Sequence, residues 1–74
     1  MAARFTTSIR KKIGLRLKRA RKRAGLEQVQ VSDLAGINPS FYSKIERGEV
    51  NFSLAKFYKI AKALKLKSSD ILPF

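Results

Sequence analysis

Glycines and one charged triplet mark the ends of two short helices in the middle of this chain. Gln28 begins an amphipathic stretch that closes at Gly36, and a second stretch closes at Glu46-Arg47-Gly48. Glycine adopts the left-handed backbone conformation that ends a helix more readily than any other residue. The spacing therefore predicts two short helices that meet at Gly36, with the second one ending at Gly48.

The start of the second of these helices is also marked. Asn38 has a side-chain oxygen suited to an N-cap, and Pro39 stands at the first helical position, where its missing N–H costs nothing. We therefore expect one helix over about 27–35 and another from Pro39 to about Arg47.

A longer helix precedes this pair. One stripe of apolar side chains recurs at helical spacing, formed by Ile9, Ile13, Leu17, Ala20 and Ala24. Ser8 is a plausible N-cap for this helix, and Gly25 is placed to end it. Residues 1–7 are then expected to form a flexible basic arm, and residues 8–74 a single helical domain.

Two further elements are expected after Gly48. Ser53 is placed to cap a fourth helix over 54–65, and a short last turn covers about Ser68 to Leu72, with Ser68 or Ser69 as its cap. The inner stripe of the fourth helix consists of Leu54, Phe57, Ala61 and Leu64. The pattern contains no convincing strand, so the predicted fold is all-α with five helices.

Charge points to the class of partner. The 74 residues include 17 basic and 5 acidic side chains, which gives a formal net charge of +12. Ten of the basic residues and none of the acidic ones lie in residues 1–24. A positive field of this size favours nucleic acid first and a membrane surface second.

Composition also argues against several other classes of protein, namely enzymes, metal-binding proteins and membrane-spanning proteins. Histidine and cysteine are both absent, which removes the commonest metal ligands and the commonest general base. We therefore expect no enzyme, no metal, no cofactor and no small-molecule ligand. The lack of cysteine fits a reducing cytosol, and no apolar run is long enough to span a membrane, so a cytoplasmic protein is expected.

Several motifs of this sequence stand at the same relative spacing as in the lambda-repressor-like (Cro/repressor, Xre-type) helix-turn-helix family, which the chain therefore resembles. The resemblance covers about residues 12–72 and places the helix-turn-helix at about 27–47. It rests on Gly-Leu-x-Gln at 25–28, Ile-Glu-Arg-Gly at 45–48 and Ile-Ala-Lys-Ala-Leu at 60–64, together with the apolar and small residues Val31, Ser32, Ala35, Ile37, Tyr42 and Ile45. Ser32 stands where alanine is usual and Tyr42 where isoleucine or valine is usual, so both hydroxyls need a polar partner or solvent.

The resemblance implies roles for particular residues. Gln28 corresponds to a glutamine that binds a DNA phosphate at the start of the second helix. Arg21 and Glu46 correspond to an internal ion pair that ties the first helix to the end of the recognition helix. Arg47 and Asn51 correspond to phosphate contacts.

The outward face of the third helix is the expected base-reading surface. With Tyr42 and Ile45 inward, the face that remains comprises Asn38, Pro39, Ser40, Ser43, Lys44 and Arg47, and Phe41 lies at its boundary. Asparagine pairs with adenine, lysine with guanine and serine with several bases, and proline and phenylalanine touch methyl groups or the sugar–phosphate backbone. Arg10 and Lys11 are expected to reach phosphates or a minor groove.

The C-terminal tail resembles the dimer segment of the family, with Ile71, Leu72 and Phe74 as apolar anchors. The alternative is that these side chains fold back onto the core of the monomer. Lys65 stands where the family usually has glycine, and we expect the turn to differ there.

The resemblance implies a sequence-specific double-stranded DNA-binding transcriptional regulator, a repressor in the first instance, that binds a near-palindromic operator as a homodimer. One alternative is an antitoxin or other protein-interaction module of the same fold, with a toxin or other partner contacting Leu15, Val29 and Leu34. A second is a membrane-surface protein that uses the basic amphipathic helix over 8–24.

Overall fold

The computed structural model describes residues 6–73. It contains five α-helices and no strand within that range: α1 (Thr7–Arg23), α2 (Gln28–Ala35), α3 (Pro39–Arg47), α4 (Leu54–Ala63) and α5 (Ser68–Ile71). The all-α, five-helix prediction is confirmed.

The first helix begins slightly earlier than its pattern predicts. Thr6, rather than Ser8, is the N-cap, because its hydroxyl oxygen accepts a hydrogen bond from the backbone N–H of Ile9 at 3.2 Å. Thr7, assigned above to the arm, is therefore the first residue of α1. The rest of the predicted arm, residues 1–5, lies outside the described residues. The predicted end is confirmed, since Gly25 has a φ of +71°.

The two central helices have the predicted boundaries to within a residue. Gly36 ends α2 with a φ of +66°, and the side-chain oxygen of Asn38 accepts hydrogen bonds from the backbone N–H groups of Ser40 and Phe41 at 2.8 and 3.2 Å. Gly48 ends α3 with a φ of +74°. The cap and glycine signals therefore define the helix-turn-helix backbone.

Three expectations about α4 and the turn after it are wrong. Ser53 caps the helix as predicted, but the helix ends at Ala63, and Lys65 takes the left-handed conformation with a φ of +56°. The backbone thus keeps the turn that a glycine would favour, at a cost of about 1 kcal/mol for the lysine. Leu54 is 83% exposed and not part of the inner stripe. It shares a helix face with Phe57, but at the first position no neighbouring helix covers it.

The last helix packs on the first. Ile71 is completely buried in the core, α5 contacts α1, and a guanidinium nitrogen of Arg16 donates to the carbonyl oxygen of Leu72 at 3.2 Å. The prediction of Ile71 as a dimer contact is therefore wrong, because the monomer already buries this side chain. The predicted cap is also wrong: Lys67 is the N-cap, and its backbone N–H donates to Asp70 at 2.9 Å. Phe74 lies outside the described residues.

A glycine inside α1 allows this helix to approach the end of α3 closely. A Cβ atom at Gly14 would overlap the backbone carbonyl oxygen of Glu46 and lie 2.7 Å from that of Ile45. Glycine in a helix interior costs about 1 kcal/mol relative to alanine. Glycine is nevertheless required at this position, because only a residue without a side chain fits between the two backbones.

We expect Gly14→Ala to lower the free energy of unfolding by about 2 kcal/mol, because forced overlap with backbone outweighs the gain in helix propensity. Urea unfolding followed by circular dichroism measures the change. Gly25→Ala is the control, since a Cβ there meets no atom within 4 Å and only the left-handed backbone is strained. A Gly14→Ala variant more stable than the wild type would contradict the close approach.

Candidate nucleic-acid interface

The third helix is buried on one face and open on the other. Tyr42, Ile45 and Glu46 are buried, and the opposite face is open to solvent. Its exposed residues are Asn38, Pro39, Ser40, Lys44 and Arg47, with Phe41 and Ser43 half-buried at its edges. The structure therefore places the predicted base-reading residues of α3 together on one surface.

A buried polar cluster holds the orientation of this helix. Nε of Arg21 lies 2.7 Å from one carboxylate oxygen of Glu46, and a terminal guanidinium nitrogen lies 3.2 Å from the other. The side-chain amide of Gln28 donates to Glu46 at 3.0 Å, and Arg21 also donates to the carbonyl oxygen of Leu26 at 2.9 Å. One carboxylate thus links α1, the start of α2 and the end of α3.

The protonation state of the cluster follows from these contacts. Burial alone would raise the pKa of Glu46, but hydrogen bonds from Arg21 and Gln28 and the charge of Arg21 outweigh it and lower this pKa below its ordinary value. The hydrogen bond to Glu46 raises the pKa of Arg21 despite its burial. Both groups are therefore charged at neutral pH.

Tyr42 lies against the same cluster. Burial raises the pKa of its phenol far above the ordinary value, and the Glu46 carboxylate raises it further, so the hydroxyl stays neutral. Its oxygen is fully buried and makes no hydrogen bond of acceptable geometry to residues 6–73. The sequence requires a polar partner or solvent for this hydroxyl, and the polar group beside it is the Glu46 carboxylate. The Ser32 hydroxyl, in contrast, donates to the Val29 carbonyl at 2.8 Å, as its burial requires.

Gln28 is the first residue of α2 and is half-buried. One of its amide hydrogens is used within the protein by the bond to Glu46. The structure therefore gives Gln28 a structural role beside the predicted one, and its phosphate contact stays a prediction.

Asn38 is similarly restricted. Its side-chain oxygen already accepts two backbone hydrogen bonds as the N-cap of α3. Bidentate recognition of adenine uses both the oxygen and the nitrogen of an asparagine side chain. We therefore expect Asn38 to act mainly as a cap, with Ser40 and Lys44 as the more available base readers.

The end of α3 carries a paired arginine. Arg47 forms a two-point ion pair with Glu49, with N–O distances of 2.8 and 3.2 Å, and its remaining terminal nitrogen donates to Ser43 at 2.6 Å. The pair raises the pKa of Arg47 and lowers that of Glu49. Lys44 is exposed on the same surface.

Three predicted contacts lie at the border of this surface. Nε of Arg10 donates to the carbonyl oxygen of Gly48 at 3.2 Å, so this side chain helps to hold the loop after α3. Lys11 is exposed, and its backbone passes so close to Gly48 that a Cβ there would lie 2.8 Å from the Lys11 Cα. Asn51 is half-buried in the loop that follows.

Comparison with known proteins agrees with this geometry. The family model described as helix-turn-helix matches residues 17–72. This chain belongs to the helix-turn-helix family. The lambda-repressor-like resemblance drawn from its motifs is thereby confirmed.

Two curated relatives of this helix-turn-helix protein are transcriptional regulators by name. It is 37% identical over 60 residues to the immunity repressor protein of Bacillus phage phi105, covering 81% of this chain and 42% of the repressor. It is 30% identical over 64 residues to the uncharacterized HTH-type transcriptional regulator y4dJ of Sinorhizobium fredii, covering 86% and 83%. The chain thus spans less than half of the phage repressor but most of the second relative.

A solved structure extends the likeness to the whole fold. The restriction-modification controller protein C.AhdI from Aeromonas hydrophila superposes with a TM-score of 0.85 at 32% identity, covering 88% of this chain and 98% of the controller.

Sequence reasoning missed two features of the interface. Glu49 was given no role, although an acid two residues after Arg47 in a strongly basic chain is a signal for a pair. Lys56 has no role in the sequence analysis, yet its Nζ lies 5.3 Å from the centre of the Phe41 ring, in a cation–π contact at the edge of α3.

Two further features concern metal binding and membrane insertion in the described part of the chain. Residues 6–73 hold no group of three or more side chains able to bind a metal ion. None of the described helices is long and apolar enough to cross a membrane.

We expect Glu46→Gln to lower the free energy of unfolding at neutral pH by about 3 kcal/mol, because Arg21 is left as an uncompensated buried charge. The folded-state pKa of Glu46 is lowered, so its contribution is present above the unfolded pKa and is lost as pH falls through the folded one. Urea unfolding of both proteins at several pH values measures this difference.

The difference should therefore shrink as the pH falls below the ordinary pKa of a glutamate, about 4.3, and is lost below the lowered folded-state pKa of Glu46, where the wild-type side chain is protonated and neutral like the glutamine. Glu49→Gln is the matched control, because it removes an exposed, solvent-screened pair and should change stability much less than Glu46→Gln does. A difference independent of pH would mean that Glu46 acts through packing and not through its charge.

Proposed function

We propose that this chain is a sequence-specific double-stranded DNA-binding transcriptional regulator that acts in the cytoplasm as a homodimer. The observation that carries the proposal is the open face of α3, which presents Ser40, Lys44 and Arg47 while its other face is held by the buried cluster. Family membership and the names of the relatives support the same function.

The dimensions of α3 suit the major groove of duplex DNA. That groove is about 12 Å wide, which is close to the diameter of a helix with its side chains. The net charge of +12 supplies the sequence-independent attraction to phosphate. Side chains that donate and accept hydrogen bonds then read base edges, and phosphate contacts at the helix ends set the register.

Repression is the favoured mode of action. Occupancy of a DNA site can block polymerase without any additional activity, and the proposal includes no catalytic step. A relative named as an immunity repressor supports this mode.

One copy of the chain reads too little DNA to define a unique site. The nine residues of α3 span about 14 Å, which corresponds to about four base pairs. A two-fold dimer would place two such helices about one DNA turn apart on a near-palindrome.

Ile71 is buried in the monomer and cannot contribute to a dimer surface. We therefore propose that the dimer surface lies on α4, where apolar side chains are exposed. An apolar groove of about 860 Å³ runs along this helix beside Leu66, and it is bordered by Leu54 and Tyr58, which are 83% and 62% exposed. An adjoining groove holds the exposed Leu34 and Asp33 beside Tyr58 and three lysines.

Charge complementarity favours a second copy as the occupant of this surface. Asp33 makes no ion pair with any residue from 6 to 73, and the lysines beside it are Lys59, Lys62 and Lys65. A two-fold axis near Tyr58 would pair Asp33 of each copy with the lysines of the other.

Selection of binding sites from a random duplex pool at ~150 mM salt tests the function. We expect enrichment of a near-palindrome with half-sites about ten base pairs apart. Lys44→Ala in the same selection should lose preference at one position of each half-site, worth ~1–3 kcal/mol, while Lys67→Ala, at an exposed residue before α5 and outside both proposed surfaces, should keep the wild-type preference. Enrichment of no sequence by the wild type would overturn the proposal.

We expect Leu54→Asp to weaken dimerisation at least tenfold, because it places a charge in the apolar surface without disturbing a buried side chain of the monomer. Sedimentation over a range of protein concentrations measures the change. Val29→Asp, at a residue 52% exposed on α2, is the control. Equal dimerisation of Leu54→Asp and wild type would place the interface elsewhere.

A further inference from the structure

The Arg47 side chain is held by partners on two sides. Both Nε and one terminal nitrogen bind the carboxylate of Glu49, and the other terminal nitrogen binds the hydroxyl of Ser43. Each side chain of the ion pair is about half exposed, at 53%. Thus every nitrogen of the guanidinium has a partner in the protein before DNA arrives.

We propose that Glu49 is a specificity-determining residue that withholds Arg47 from DNA phosphates and so limits sequence-independent binding. The inference rests on the proposed DNA-binding function and assigns a role within the same surface.

The geometry supports competition between Glu49 and phosphate. A planar guanidinium binds a carboxylate and a phosphate in the same two-point manner. Glu49 therefore occupies the position on Arg47 that a phosphate would take. A phosphate that displaces it must also approach the carboxylate, which carries charge of the same sign.

Its neighbours make Glu49 distinctive on this surface. From Asn38 to Ser53 the chain has two acids, Glu46 and Glu49, and Glu46 is buried in its own pair with Arg21. Glu49 is therefore the single solvent-exposed acid of α3 and the loop that follows it. Hydrogen bonding and charge from Arg47, with Lys44 nearby, lower the pKa of Glu49, so it remains ionised at neutral pH.

Glu49 should affect binding to arbitrary DNA sequences more than binding to a preferred sequence. Binding to arbitrary sequence depends on phosphate contacts and their counterion release, so a freed Arg47 adds one contact there. Recognition of a preferred sequence depends also on base contacts from the other side chains of α3, whereas the hydrogen bonds of the Glu49 carboxylate go to Arg47. Removal of Glu49 should therefore raise the affinity for arbitrary DNA more than the affinity for a preferred sequence. The ratio of the two affinities, which measures specificity, should fall.

The test compares full-length wild type and Glu49→Gln on a random-sequence duplex of about 25 base pairs, by fluorescence anisotropy between 50 and 200 mM salt. We expect Glu49→Gln to bind about threefold more tightly at low salt, the range of an exposed ion pair. Its logarithmic salt slope should be steeper by about 0.9, equivalent to one additional phosphate.

Asp70→Asn is the control for net charge. It makes the same change in charge on α5, outside the interface, and asparagine retains an oxygen to accept the Lys67 N–H bond. We expect the salt slope to be steeper than that of the wild type for Glu49→Gln and unchanged for Asp70→Asn. Equal slopes for the two variants would overturn the inference.

A double-mutant cycle with Arg47→Ala isolates the proposed mechanism. Glu49→Gln should have no effect on the slope once Arg47 is absent, because Glu49 acts through that guanidinium. A gain that persists in the Arg47→Ala background overturns the inference, although the proposed function stands. A wild type that binds no duplex at any salt concentration overturns both.

Discussion

The buried contact between Arg21 and Glu46 is the interaction on which the rest of this structure depends. It joins the first helix to the end of the third, and Gln28 brings the start of the second helix to the same carboxylate. Isolated helices of nine or ten residues are marginal in water, so their orientation has to come from tertiary contacts. A charged cluster has strict geometric demands, and it therefore fixes the rotation of α3 about its own axis better than apolar packing alone.

Gly14 completes this arrangement. Because it has no side chain, α1 can lie directly against the carbonyl groups at the end of α3. The basic helix, the ion pair and the recognition surface are thus mechanically connected. A duplex docked on the open face of α3 would also meet the border residues Lys11 and Arg10, the second of which is bonded to the Gly48 carbonyl. The face proposed to read sequence and the basic residues proposed to attract phosphate therefore lie side by side.

Local signals predicted most of the backbone correctly, because each acts within a few residues. Gly36, Gly48 and the Asn38-Pro39 start are examples, since a left-handed turn or an N-cap needs no distant partner. Helical period also predicted the buried stripe of α1 at Ile13, Leu17 and Ala20, whereas Ala24, the C-cap, is exposed.

The errors arose where distant parts of the chain decide the outcome. Ile71 was assigned to a dimer, but its burial depends on where α5 meets α1. Leu54 has the period of an inward residue but is 83% exposed, whereas Phe57, three residues further along α4, is buried. Lys65 keeps a left-handed turn that its own side chain disfavours. Likewise, helical period predicted which residues of α3 face solvent, and their role in DNA binding stays a prediction. The bonds that occupy Asn38, Gln28 and Arg47 appear only in three dimensions.

The central claim is that duplex DNA lies on the open face of α3 and not elsewhere on a strongly basic protein. The most direct measurement is an NMR titration of the labelled protein with a short duplex at ~150 mM salt, following backbone amide shifts. The account predicts the largest changes at Ser40, Lys44 and Arg47 and at the start of α2. Largest changes along the exposed basic face of α1, or at the lysines of α4, would contradict it.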